Sequence, residues 1–249
     1  MTGQLTPSDI RTLVAKAFVL EAISDKPGCT TRYEDLPGKP LQDFIMAGIN
    51  ASDIFGEFAA DYIKDPTISV FSYNVRALQR SNQHKSPKNI NFGLLEIMFP
   101  TVAARLIDNN PNTVIDTIVD LIQKTSRHDV VEILKTRKIA WSTSTNGKKT
   151  NYPFVKYESC DSLWSFYGAV KDDFTPDVSH YQWSDDILAG LPTLRHFFTA
   201  FQKDGSLLKN TKVVFQSERK DRPHISIGIL ADMCAAAMFL WLSFNDQPV

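Results

Sequence analysis

Apolar residues recur every three or four positions along most of this chain, which predicts a protein built of helices. Thr6, Pro7 and Asp9 supply a cap, a first-turn proline and a capping-box partner. Ile10, Leu13, Val14, Ala17, Phe18 and Glu21 then follow on one stripe, so Glu21 is a carboxylate on a face meant for the core. That helix is expected to end near Ser24 or Asp25, because Pro27 disfavours helical geometry at Lys26 and Gly28 permits a reversal. A second helix is expected over 40–63 through Phe44, Ile45, Ile49, Ile54, Phe55 and Phe58.

The stretch from Arg80 to Lys88 reads as a loop. Helical spacing resumes over 90–107 through Phe92, Leu95, Met98, Val102 and Leu106, with Pro100 expected to kink it. Val114 to Ile122 marks another helix, with Asn112 as its cap, and Val130 to Leu134 a shorter one. The middle differs: Ile139 to Thr145 and Tyr152 to Tyr157 are β-prone runs on either side of Asn146-Gly147, a strong hairpin signal. Further helices are expected over 160–170, 185–201 and 225–244. The expectation is one all-α domain over residues 1–249, carrying a small β-hairpin near 139–157.

The run from Ile225 to Phe244 is long enough to span a bilayer, but it contains Asp232. At mid-membrane a carboxylate costs about 2.5–3.5 kcal/mol, and a helix apolar all round is equally expected at the centre of a helical protein. The buried-helix reading is preferred, and no membrane partner is expected. Lys plus Arg is 27 against 28 acidic residues, so no broad positive field exists to hold nucleic acid. The three cysteines, Cys29, Cys160 and Cys234, have no metal-ligand spacing and fit reduced thiols. Met1-Thr2-Gly3-Gln4 offers neither a basic nor an apolar leader region, and a cytoplasmic location is expected.

Three short segments carry candidate chemistry. In the first, Lys26 and Arg32 could bind phosphate, while Glu21 and Asp35 could hold Mg²⁺ or serve as a base. Ordinary helix capping and surface ion pairs would also account for most of it. In the second, Lys88-Asn89-Ile90-Asn91-Phe92-Gly93 opens a helix whose free N–H groups attract anions, although Asn89 also suits a simple N-cap. In the third, Asp232 in an apolar helix needs a cation, a metal or several donors, or else becomes an acid or base with a raised pKa.

Together these segments resemble the triphosphoribosyl-dephospho-coenzyme A synthase family. The resemblance rests on Lys26-Pro27-Gly28 and Arg32 after a helix bearing Glu21, on Asn89-Ile90-Asn91-Phe92-Gly93, and on Ser226, Gly228, Ala231 and Asp232. Departures are Pro87-Lys88 before the central asparagine, Asn91-Phe92 in place of a His-Lys pair, and Ile227 in place of proline.

The resemblance implies an all-helical nucleotide-binding fold that moves the triphosphoribosyl part of ATP onto dephospho-coenzyme A and expels adenine. Such chemistry needs cations or Mg²⁺ on the triphosphate and a carboxylate to take a hydroxyl proton. Lys26, Arg32 and Lys88 are the candidate cations, and Asp232 the candidate base. Glu21 is a second catalytic candidate, with Asp35 a metal or sugar ligand. Asn89 and Asn91 would orient a ribose or base, and Gly28, Gly93 and Gly228 belong to the same nucleotide site. A related enzyme that cleaves or transfers another phosphoribosyl or nucleotide compound, and a catalytically silent helical protein binding a ligand or partner, are the rival readings. A homodimer is left open.

Overall fold

The computed structural model describes residues 4–83, 91–144 and 154–245. The first helix, α1 (Pro7–Ile23), starts as its sequence requires: Thr6 and Asp9 form a reciprocal capping box. It packs along α2 (Leu41–Lys64), which is followed by α3 (Asn74–Ser81) and α4 (Phe92–Ile107). Then come α5 (Val114–Gln123), α6 (Arg127–Ser144), α7 (Leu163–Asp173), α8 (Ser179–Leu188), α9 (Pro192–Asp204), α10 (Leu207–Asp221) and α11 (Ile227–Asn245).

The described residues contain helices and no strand, so the fold is all-α and the hairpin is corrected. Its first arm, Ile139 to Ser144, is the last part of α6. Val130, Ile133, Leu134, Arg137 and Ala140 are buried at a spacing of three and four, so one helical stripe runs into the β-prone segment and decides its state. Its second arm ends in a 3-10 turn at Val155–Tyr157. Asn146 and Gly147 lie outside the described residues.

Other boundaries also moved. The segment expected as one helix over 185–201 is two, α8 and α9, separated where Gly190 (φ 83°) and Leu191 (φ 61°) turn left-handed before Pro192. α5 begins after Thr113 rather than Asn112. Asp108 organises that corner instead, accepting hydroxyl bonds from Thr113 and Thr117 at 2.8 Å each.

The centre is α11, which packs on α1, α4 and α9. It is long and apolar enough to cross a membrane, but here its apolar surface is consumed by neighbouring helices, with Leu230 and Met233 through Leu240 fully buried. Each large side chain buried this way contributes about 1.5–3 kcal/mol.

Two ties join α11 to α4. Near their C-terminal ends, Arg105 donates from Nε to Ser243 Oγ at 3.0 Å and from its terminal nitrogen to the Ser243 carbonyl at 2.9 Å. Near their N-terminal ends, Asp232 accepts from the Leu94 backbone N–H. The ties are equally spaced along both helices, which therefore run parallel, with both positive ends at the same end of the bundle.

Candidate functional site

A cleft of about 370 Å³ opens at that end. The N-terminal residues of α4 and α11 form two of its walls, through Asn91 to Leu94 and through Ile227, Gly228, Ala231 and Asp232. The end of α1 and the loop after it supply Glu21, Ala22 and Gly28 to Thr30, with Leu36 and Lys39 closing the side. The first N–H groups of two helices thus border one recess, an arrangement that attracts anions.

The loop is held by its own geometry. Gly28 sits at φ 87°, which favours glycine, and a Cβ there would come within 2.7 Å of Ile227 Cδ1 and push that side-chain end aside. Thr30 donates its hydroxyl to the Lys39 carbonyl at 2.7 Å and accepts from Leu36 N–H at 3.1 Å, pinning the Leu36–Lys39 turn. Lys39 is thereby brought to the cleft wall.

Glu21 is buried on the stripe, as its spacing predicts, and the reason is Lys26. The Lys26 ammonium, itself 2% exposed, lies 2.8 Å from Glu21 Oε1 and also donates to the Glu21 carbonyl oxygen. A buried pair of this kind is stable only while both partners are present.

Asp232 lies where α4 and α11 meet. Burial pushes its carboxyl well above the usual carboxylate range, and the nearby Glu21 and Glu96 charges push it further. Lys39 and the Leu94 N–H act in the opposite direction without cancelling the shift. Asn91 adopts a left-handed backbone (φ 69°) at the start of α4 and makes no side-chain cap, so Asp232 takes that capping place from across the cleft. Asn91 Nδ2 is buried with no partner among the described residues. A Cβ on Gly93 would land on Asp232 Oδ2. Gly93→Ala is therefore expected to displace that carboxylate and destabilise the protein by about 1–3 kcal/mol, read as a lowered thermal midpoint.

Behind Asp232 lies a smaller recess of about 170 Å³. It shares Phe92, Gly93, Gly228 and Asp232 with the main cleft and is otherwise lined by Glu96, Arg137, Ser179, His180, Trp183, Ser226 and Ile229. Glu96 Oε1 accepts from Arg137 at 2.6 Å, the Tyr167 hydroxyl at 2.6 Å and the Trp183 indole N–H at 3.1 Å. Burial, with Arg137 adding to it, lowers His180 to about 4, so its ring is neutral at pH 7.

The structure thus brings Glu21, Gly28, Asn91, Gly93, Gly228 and Asp232 to one cleft. It does not bring Lys26, which is engaged by Glu21 beneath the wall. Arg32 is exposed, stacked 4.7 Å above the Tyr33 ring, and does not line the cleft. Asp35 is exposed too, accepting from Leu41 N–H at 2.7 Å at the start of α2. Lys88 and Asn89 lie outside the described residues.

Of the two candidate metal ligands Glu21 lines the cleft and Asp35 does not, and among the described residues there is no group of three His, Cys, Asp or Glu that could hold a metal. Two residues were missed from sequence. Lys39 follows a second Pro-Gly turn, Pro37-Gly38, the same signal that singled out Lys26. Glu96 interrupts an apolar run as Asp232 does.

A model of the ATP:dephospho-CoA triphosphoribosyl transferase (CitG) family matches residues 7–155, more than half of the chain. No curated protein and no solved structure matches it. The chain belongs to the ATP:dephospho-CoA triphosphoribosyl transferase family.

Proposed function

We propose that this member of the family binds ATP in the cleft and transfers its triphosphoribosyl group to a hydroxyl of dephospho-coenzyme A or a closely similar nucleotide, releasing adenine. The observation that carries the proposal is Asp232, a carboxylate of raised pKa seated where the N-termini of α4 and α11 converge. The phosphates lie against those N-termini with Lys39 beside them. Any Mg²⁺ arriving on the triphosphate is treated as part of the substrate, since the described residues supply no cage for it.

The acceptor hydroxyl oxygen attacks the anomeric carbon of the ATP ribose as the bond from that carbon to adenine breaks. Adenine leaves with the bonding electron pair and takes up a proton from solvent. Asp232 takes the hydroxyl proton. Burial and the acidic neighbours raise the proton affinity of Asp232, which suits a group that must take a proton. Glu21 and Asp232 also place negative charge near the sugar, where positive charge develops as the base departs.

Incubation with ATP, Mg²⁺ and dephospho-coenzyme A is expected to release free adenine and give an adduct heavier by one triphosphoribosyl group, read by liquid chromatography and mass spectrometry. Adenine release with a different acceptor would keep the chemistry and change the substrate. ATP binding without adenine release would leave a silent relative that only binds.

A further inference from the structure

We propose that the recess behind Asp232 is the pocket for the purine base, with Glu96 reading the exocyclic amino group of adenine. The proposal rests on the transfer reading above for the identity of the nucleotide, and on three independent features of the recess for its chemistry.

The first is Glu96. It lines the recess at 2% exposure, and its three donors among the described residues converge on Oε1. Oε2 is buried with no partner among the described residues. A buried carboxylate oxygen left without a donor is costly, so this atom is the natural receiver of an N–H from a ligand. A carboxylate can only accept, which suits a 6-amino purine and opposes a 6-oxo purine that presents a carbonyl at the same place.

The second feature is the wall. Phe92, His180 and Trp183 give flat, uncharged surfaces against which a heterocycle can pack. The recess, at about 170 Å³, is also small beside the main cleft of about 370 Å³.

The third is connectivity. Gly93, Gly228 and Asp232 belong to both spaces, so the recess and the cleft meet at Asp232. With the base in the recess and the phosphates on the helix N-termini, the bond between base and sugar lies at that junction. This is where the proposed base catalyst must act. Gly93 and Gly228 keep the passage open, since neither adds a side chain to it.

Calorimetric titration separates this inference from the reading it rests on. The probes are ATP, ITP, free adenine and inorganic triphosphate, applied to the wild type, Glu96→Gln and Ser179→Trp. Ser179 is exposed at the start of α8 on the rim of the recess, so Ser179→Trp fills it without touching the buried Glu96 network.

The wild type is expected to prefer ATP over ITP by roughly ten- to a hundred-fold, the value of one buried hydrogen bond left unmade. Glu96→Gln should erase most of that preference. Ser179→Trp should abolish adenine binding and reduce ATP to the affinity of inorganic triphosphate, with triphosphate itself unchanged. Equal binding of ATP and ITP by the wild type, or undiminished ATP binding by Ser179→Trp, would overturn the base pocket while leaving the transfer reading intact. If the wild type binds adenine but not ATP, the transfer reading falls and the pocket stands. Binding of neither overturns both.

Discussion

Asp232→Asn is expected to slow adenine release by about 10²–10⁴-fold while leaving ATP affinity within a few-fold of wild type, because it removes a proton acceptor and little else. Asparagine keeps an oxygen for the Leu94 N–H, so the cap on α4 survives. The same change is expected to raise the thermal midpoint at neutral pH. The folded protein holds the Asp232 carboxyl well above its ordinary range. Between that range and the raised value, the native state retains a proton that the unfolded chain has released. Stability therefore falls as pH rises through the window, and the variant is spared the loss. Melting curves at several pH values should show the gap between variant and wild type widening with pH. Wild-type activity should climb with pH over the same window as the base form appears. Undiminished adenine release would remove Asp232 from the mechanism. A fall in thermal midpoint would show that the folded protein favours the ionised carboxylate, against the raised proton affinity.

The opposite signs of those two effects follow from one placement, and the placement was half legible in the chain. A single acid in the apolar run that became α11 is a local signal, and so was Glu21 on the stripe of α1. Glu96 between Leu95 and Ile97 gives the same signal, but its meaning depends on Arg137, Tyr167 and Trp183, which reach it from three other helices.

The parallel arrangement of α4 and α11 was not legible at all. It depends on Arg105 meeting Ser243 and Asp232 meeting Leu94, pairings that no local pattern encodes. α10 escaped for a related reason: its buried face mixes Leu207, Val214 and Phe215 with Thr211 and Glu218, so the apolar period is diluted. At the expected hairpin, a helical stripe already running from Val130 outweighs the β propensity of Ile139 to Ser144. Charge at the first loop misled in another way. Spacing announced cations after α1, but only packing shows that Lys26 turns inward to Glu21 while Lys39 faces the cleft.

Lys26→Met is the test of that inward turn, and it is expected to destabilise the protein by about 3–5 kcal/mol, because Glu21 is left buried and unpaired. For a chain of this size the thermal midpoint should drop by on the order of 10 °C. Glu21→Gln with Lys26→Met should recover much of the loss, since the double variant buries no unpaired charge. A double-mutant cycle read by denaturant unfolding then gives the coupling between the two residues. Were Lys26 instead a phosphate ligand, the single variant would keep its thermal midpoint and lose affinity for ATP and inorganic triphosphate. The two roles predict different observables. The pair's burial beneath the cleft wall, with the Lys26 ammonium donating to both the side chain and the backbone of Glu21, favours the first. On this account, the Lys-Pro-Gly turn after α1 serves to fold a cation back under the site, fixing Glu21 at its wall.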